Sequence, residues 1–161
     1  PLAVGFFLIL SGILLFSADI IARKKSDWLA EAEPKIWQSL LIGTAQGLAV
    51  FPGLSRSGAT ISTGIFTGLR GDYSARFSFL VSVPAVLGAS LVSLMEEKEA
   101  LIKFQSNEIF AYLLGMVSAF IVGYFCIRLV FAMVRRTRLS WFGGYCVVLG
   151  ALVLLIWNLN K

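Results

Sequence analysis

Arg56 stands between two serines in the run PGLSRSGAT, residues 52–60, with Gly53 and Gly58 on either side and Thr60 just beyond. A guanidinium is a planar fork of N–H donors that matches phosphate oxygens. Ser55, Ser57 and Thr60 add hydroxyl donors, and glycines let the backbone come close to a ligand. These residue types at this spacing suit a phosphate group. They do not complete a catalytic set. Phosphoryl transfer needs a nucleophile, a base and neutralisation of charge. Histidine is absent from the chain, and no Asp or Glu lies in the run. Neutralisation is therefore the part this run supplies.

The flanks are what make the run unusual. It is polar, yet it lies between WQSLLIGTAQGLAVF and ATISTGIFTGL. The chain of 161 residues is 58% hydrophobic and only 14% charged, with a mean hydropathy of +0.84. A soluble domain of this size has no use for so much apolar surface, so the composition indicates an integral membrane protein. In that setting the net charge of +5 marks cytoplasmic loops rather than a nucleic-acid partner. Cys126 and Cys146 both fall in apolar stretches and are expected to be packing residues, not a disulfide.

Four segments reach the roughly 20 residues that a helix needs to cross a bilayer: 2–21, 77–95 with Pro84 inside it, 109–134 and 141–159. The first begins without Met and lacks a basic leader, so the chain is expected to be a piece of a longer protein. Two shorter apolar pieces, 36–51 and 59–69, flank the polar run. Each is too short to span comfortably, and together they describe a re-entrant helix hairpin over about 36–69. The second half-helix is expected to begin near Ala59, with its free N–H groups and positive dipole end directed into the run. The predicted fold is thus all-α, four transmembrane helices plus one re-entrant hairpin, in a single membrane domain over 1–161.

Charge supports this layout. Arg23, Lys24, Lys25, Lys35, Arg70, Arg76, Arg135, Arg136 and Arg138 fall on one side, nine of the fourteen basic residues. The loop EEKEALIKFQSNE, 96–108, falls on the other with two lysines against four acids. The positive-inside tendency makes the first side cytoplasmic. Trp28, Trp37, Trp141 and Trp157 sit near span ends, as an aromatic belt would. Small residues recur at spacing four in Gly43/Gly47, Thr60/Gly64/Gly68 and Gly115/Ala119/Gly123, and are expected to pack helices closely.

Within this layout Arg56 lies at bilayer depth. Insertion scales put the cost there at about 2.5–3.5 kcal/mol. The spans hold almost no acid: Asp19, near the basic end of the first helix, is the exception. An anionic ligand is the natural compensation. Gln46 suits either a place in that site or a helix–helix hydrogen bond. Arg128 is expected to snorkel to the interface, and Asp72 and Arg76 to serve as cap and interface charge.

The residues 46–90, QGLAVFPGLSRSGATISTGIFTGLRGDYSARFSFLVSVPAVLGAS, strongly resemble the second signature region of the undecaprenyl-diphosphate phosphatases, the bacitracin-resistance family. The resemblance covers essentially the whole chain but only the second half of a family member. It implies a fold of two inverted repeats, each with a re-entrant hairpin. It also implies an enzyme of the bacterial inner membrane that removes the terminal phosphate of undecaprenyl diphosphate at the periplasmic face. Ser55, Arg56 and Thr60 are the residues it places at the diphosphate. It further implies help from a divalent cation, magnesium or calcium, with no ligand set evident in this chain. The expected catalytic residues are then Arg56 and Ser55, and the expected substrate-binding residues Gly53, Ser57, Gly58, Thr60 and Gln46. The expected partners are a polyprenyl diphosphate lipid, the bilayer and the N-terminal half of the same protein. The family's glutamate-rich stretch, with its serine and histidine, lies in that other half. The 161 residues are accordingly expected to bind diphosphate without turning it over. The competing class is a transporter or flippase for a phosphorylated lipid or small anion, which also aims half-helix ends at a midplane anion site.

Overall fold

In the computed structural model the described residues are 2–24, 33–96, 106–135 and 139–159. They form six helices and no strand: α1 Leu2–Lys24, α2 Ile36–Leu48, α3 Arg56–Phe66, α4 Gly71–Glu96, α5 Ser106–Arg135 and α6 Leu139–Leu159. Among the described residues α1, α4, α5 and α6 are the helices long and apolar enough to cross a membrane. α2 and α3 are not: 13 and 11 residues rise only about 20 and 16 Å against a hydrocarbon core of about 30 Å. Trp28, Lys25, Arg136, Arg138 and most of the 96–108 loop lie outside the described residues.

The two short helices run antiparallel. Gln38, buried in the first turn of α2, donates from Nε2 to the Thr67 carbonyl at the end of α3, 3.1 Å. Its Oε1 accepts the Lys35 N–H at 2.6 Å, which caps α2 at the same time. α3 stops where it does because Gly68 takes φ +106. Its N–H then reaches the Ile65 carbonyl, and the Leu69 N–H reaches that of Gly64. This is the Schellman arrangement, which a Cβ at that position would strain.

The most extensive helix pair is α1 with α6, and glycine makes it possible. A Cβ on Gly5 would lie 2.7 Å from Leu154 Cγ, and one on Gly150 would lie 2.8 Å from the Gly5 carbonyl oxygen. Gly12 and Gly143 meet in the same way two turns along. The repeat here is seven residues, Gly5 to Gly12 and Gly143 to Gly150, which also keeps one face of a helix in register. The expected spacing-four sets fare differently. Gly64 is packed so closely on Ser74 of α4 that any Cβ would collide with it. Gly43, Gly47, Gly115 and Gly123 have nothing within 4 Å of a built Cβ, so among the described residues they make no close helix contact. Spacing puts small residues on a face but does not choose which face meets a neighbour.

The core gathers at one end of the bundle. Leu15, Ala18, Ile61, Ile65, Ala75 and Leu139 are buried together, with Val130 and Phe131 of α5 against them. Asp19, 2% exposed, is held there twice. Its Oδ2 accepts from Arg23 Nε at 3.1 Å and Nη2 at 2.8 Å, and its Oδ1 accepts the Leu139 N–H at 3.2 Å. One carboxylate thus neutralises the last turn of α1 and caps the first turn of α6. The end of α1, the start of α4, the end of α5 and the start of α6 therefore converge, as the charge pattern requires. α4 beyond its first turns and α5 leave Leu80, Leu87, Leu113 and Phe120 exposed along their length.

Candidate functional site

The seven residues between α2 and α3 pack onto the N-terminal half of α1. Gly53 takes φ +98, open to glycine and strained for other residues. Space demands glycine as well, because a Cβ there would lie 2.5 Å from the Val4 carbonyl oxygen and 2.9 Å from Val4 Cα. The Phe51 ring stacks on Phe7 with centroids 5.4 Å apart. The Ser55 N–H donates to Ser11 Oγ at 2.8 Å, while the Ser11 hydroxyl donates to the Phe7 carbonyl at 2.9 Å. Ser11 is 1% exposed and lies near the middle of a 23-residue helix. The polar turn is thus seated against the middle and N-terminal part of an apolar helix.

α3 begins at Arg56, three residues earlier than expected near Ala59. Ser55 is the reason. It takes the extended N-cap conformation, and its Oγ accepts the Gly58 N–H at 3.1 Å. Ser, Thr, Asp and Asn favour this position because their oxygens satisfy first-turn donors. Gly58 must be small, since a Cβ would sit 2.9 Å from Ser55 Oγ. Arg56 is then the first helical residue rather than a loop residue. Its side chain is exposed, and among the described residues it has no carboxylate partner. The N–H groups of Arg56 and Ser57 lie at the positive end of the α3 dipole.

The structure therefore brings Gly53, Ser55, Arg56, Ser57 and Gly58 together at one turn. Thr60 and Gln46 point elsewhere. Thr60 is buried, and its hydroxyl donates to the Arg56 carbonyl at 2.9 Å and meets the Ser78 hydroxyl of α4. Ser74 donates to the Ile61 carbonyl at 2.8 Å beside it. Gln46 donates from Nε2 to the Val81 carbonyl at 3.1 Å, next to the Leu80 carbonyl that Pro84 leaves without a helical donor. Its Oε1 is buried without a hydrogen bond. Ser11, Ser74 and Ser78 hold the turn and α3 in place, and the sequence did not single them out. Their signal was weak, a lone serine in an apolar span, which is also what ordinary helix packing uses.

Two of the acids are held away from this turn. Asp19 is eight residues beyond Ser11 on α1, about 12 Å along the axis, and Asp72 is engaged by Arg70 at 2.7 and 2.8 Å. Among the described residues no group of three His, Cys, Asp or Glu could hold a metal. The expected divalent cation therefore finds no carboxylate set in these residues.

Residues 1–152 match the sequence profile of the family described as bacitracin resistance protein BacA. The chain belongs to that family. Among its BacA-type relatives is the undecaprenyl-diphosphatase of Methanothermobacter thermautotrophicus, 39% identical over 152 residues, which cover 94% of this chain and 82% of that protein. That of Syntrophotalea carbinolica is 40% identical over 149 residues, covering 92% and 54%. That of Methanosphaera stadtmanae is 36% identical over 155 residues, covering 96% and 53%. The BacA-family chain thus spans about half the length of the last two.

Proposed function

We propose that these 161 residues form the diphosphate-binding part of a membrane enzyme that hydrolyses undecaprenyl diphosphate to undecaprenyl phosphate and phosphate. The observation that carries the reading is Arg56, exposed at the first position of α3 with no carboxylate partner among the described residues, on a turn seated against α1. Family membership gives the substrate class, since the relatives are undecaprenyl-diphosphatases.

On this reading α2 and α3 are a re-entrant hairpin, half of an inverted-repeat fold. It enters from the basic, cytoplasmic end and turns at 49–55. Gly53 lies at Val4, near the opposite end of α1, so the turn opens toward the periplasmic face of the inner membrane. Arg56 binds diphosphate oxygens and stabilises the charge that grows as the terminal P–O–P bond breaks. The N–H groups of Arg56 and Ser57, the Ser57 hydroxyl and the helix dipole hold the same phosphate. Gly53 and Gly58 keep the turn close enough for backbone contact. Ser55 shapes the first turn of α3, and Thr60 and Gln46 fix α3 and α2 to α4. The nucleophile and base are assigned to residues beyond these 161.

Phosphate release by the full-length enzyme tests this. Arg56→Ala should lower kcat/KM by roughly 10²–10³, the usual cost of one transition-state donor. Arg56→Lys should recover only part, because the fork is lost. Undiminished hydrolysis in Arg56→Ala would overturn the assignment. If lipid translocation failed while hydrolysis persisted, Arg56 would belong to a transporter instead.

A further inference from the structure

At the end of the bundle where the core gathers, Arg76 of α4 and Arg128 of α5 line one open cleft of about 410 Å3 with Phe131 and Ala132. The Phe131 ring of its lining packs on Phe79, centroids 5.4 Å apart. Phe79 is one turn from Arg76, and Phe131 one turn from Arg128. Tyrosines support both guanidiniums: Arg76 lies 5.7 Å from the Tyr73 ring centroid and Arg128 5.2 Å from that of Tyr124. Neither arginine has a carboxylate partner among the described residues. Two of the acids near this end, Asp19 and Asp72, are engaged by Arg23 and Arg70.

Both arginines belong to helices apolar enough to cross a membrane. Two like charges facing one cleft near the ends of such helices repel each other and call for an anion. Guanidinium forks select phosphate. Farther along the same helices Leu80, Val83, Val122 and Phe125 are exposed, a surface that suits hydrocarbon. One anionic phosphate carrying acyl chains satisfies both features.

We propose that the Arg76–Arg128 cleft binds the phosphodiester headgroup of an anionic phospholipid, with its acyl chains along α4 and α5. The lipid bridges the two arginines and holds α5, which among the described residues packs mainly on α4, against that helix. This site is separate from the turn at Arg56 and does not depend on how that turn is read.

The test is thermal unfolding of the delipidated full-length protein in detergent. The probes are phosphatidylglycerol, zwitterionic phosphatidylcholine and inorganic phosphate. Ligands that bind only the folded state raise Tm in proportion to their affinity. Phosphatidylglycerol should raise Tm by about 3 °C or more beyond phosphatidylcholine. The increment should vanish in Arg76→Gln/Arg128→Gln and persist in Lys24→Gln, which removes one exposed charge from the same end. An equal rise with phosphatidylcholine, a full rise with inorganic phosphate, or an increment that survives the double substitution would each overturn the proposal. If the double variant does not fold, Arg76→Lys and Arg128→Lys replace it. Each should move the half-effect concentration up about tenfold by losing the fork, and no movement would overturn the proposal.

Discussion

The Ser55 hydroxyl accepts the Gly58 N–H, and its own N–H is held by Ser11. A residue with the composition of a phosphate donor is thus, in this structure, the cap that sets where α3 starts. That start places Arg56 in the first helical position, where, on the function proposed above, side chain and dipole would act on the same anion. Ser11 is the linchpin on the α1 side, because among the described residues it ties the turn to a rigid helix by a part-buried hydrogen bond. Ser11→Ala leaves the Ser55 N–H without its acceptor, at a cost of about 1–1.5 kcal/mol. The turn should loosen and kcat/KM for phosphate release should fall about tenfold or more, while Ser11→Thr, which keeps the hydroxyl, recovers most of it. Equal activity in Ser11→Ala and the wild type would remove Ser11 from the positioning role.

The helices divide into those that glycine binds together and those that it does not. α1 and α6 approach until the backbone of one replaces side chains on the other, as membrane helices must when lipid gives little hydrophobic drive. Gly12 faces Val147 and the Gly143 carbonyl without room for a Cβ, whereas Gly144 has only Phe16 Cζ at 4.0 Å. Gly12→Val should lower stability by about 1–3 kcal/mol through overpacking, and Gly144→Ala should change it by well under that. Unfolding of the two variants in the same detergent, compared by Tm, reads the contrast. Equal stability of both would mean that the α1–α6 contact is looser than it stands here. α2 and α3 are bound differently, by Gln38 across their open end and by Ser74 and Ser78 against α4. Polar side chains suit that place because the backbone at the ends of short helices needs partners that lipid cannot supply.

For the molecule as a whole the decisive property is the direction in which the turn opens. The core end carries Arg23, Lys24, Arg70 and Arg76, whereas Gly53 contacts Val4 near the far end of α1. If the basic end is cytoplasmic, position 57 is reached from the periplasm. A cysteine placed there as Ser57→Cys, in a protein with Cys126 and Cys146 replaced by alanine, should react with a membrane-impermeant maleimide added outside intact spheroplasts. Reaction only after the inner face is opened would reverse the orientation and with it the periplasmic site.

Several of these features follow from the sequence alone: the membrane class, four long helices, the two short apolar pieces around residues 52–60, and the arginine between them. Each rests on hydropathy, length or local residue type, which are properties of neighbours along the chain. Only the tertiary structure decided that Thr60 and Gln46 face α4 and that Ser11 receives the turn. It likewise decided that glycines seven apart, not those four apart in α2 and α5, join helices. These depend on partners 18 to 44 residues away, or 131 and 145 for the glycine pairs, and on which face of a helix a neighbour covers. Hydrophobic patterning leaves that choice open in lipid, where nearly every face is apolar and only close fit and buried hydrogen bonds distinguish one from another.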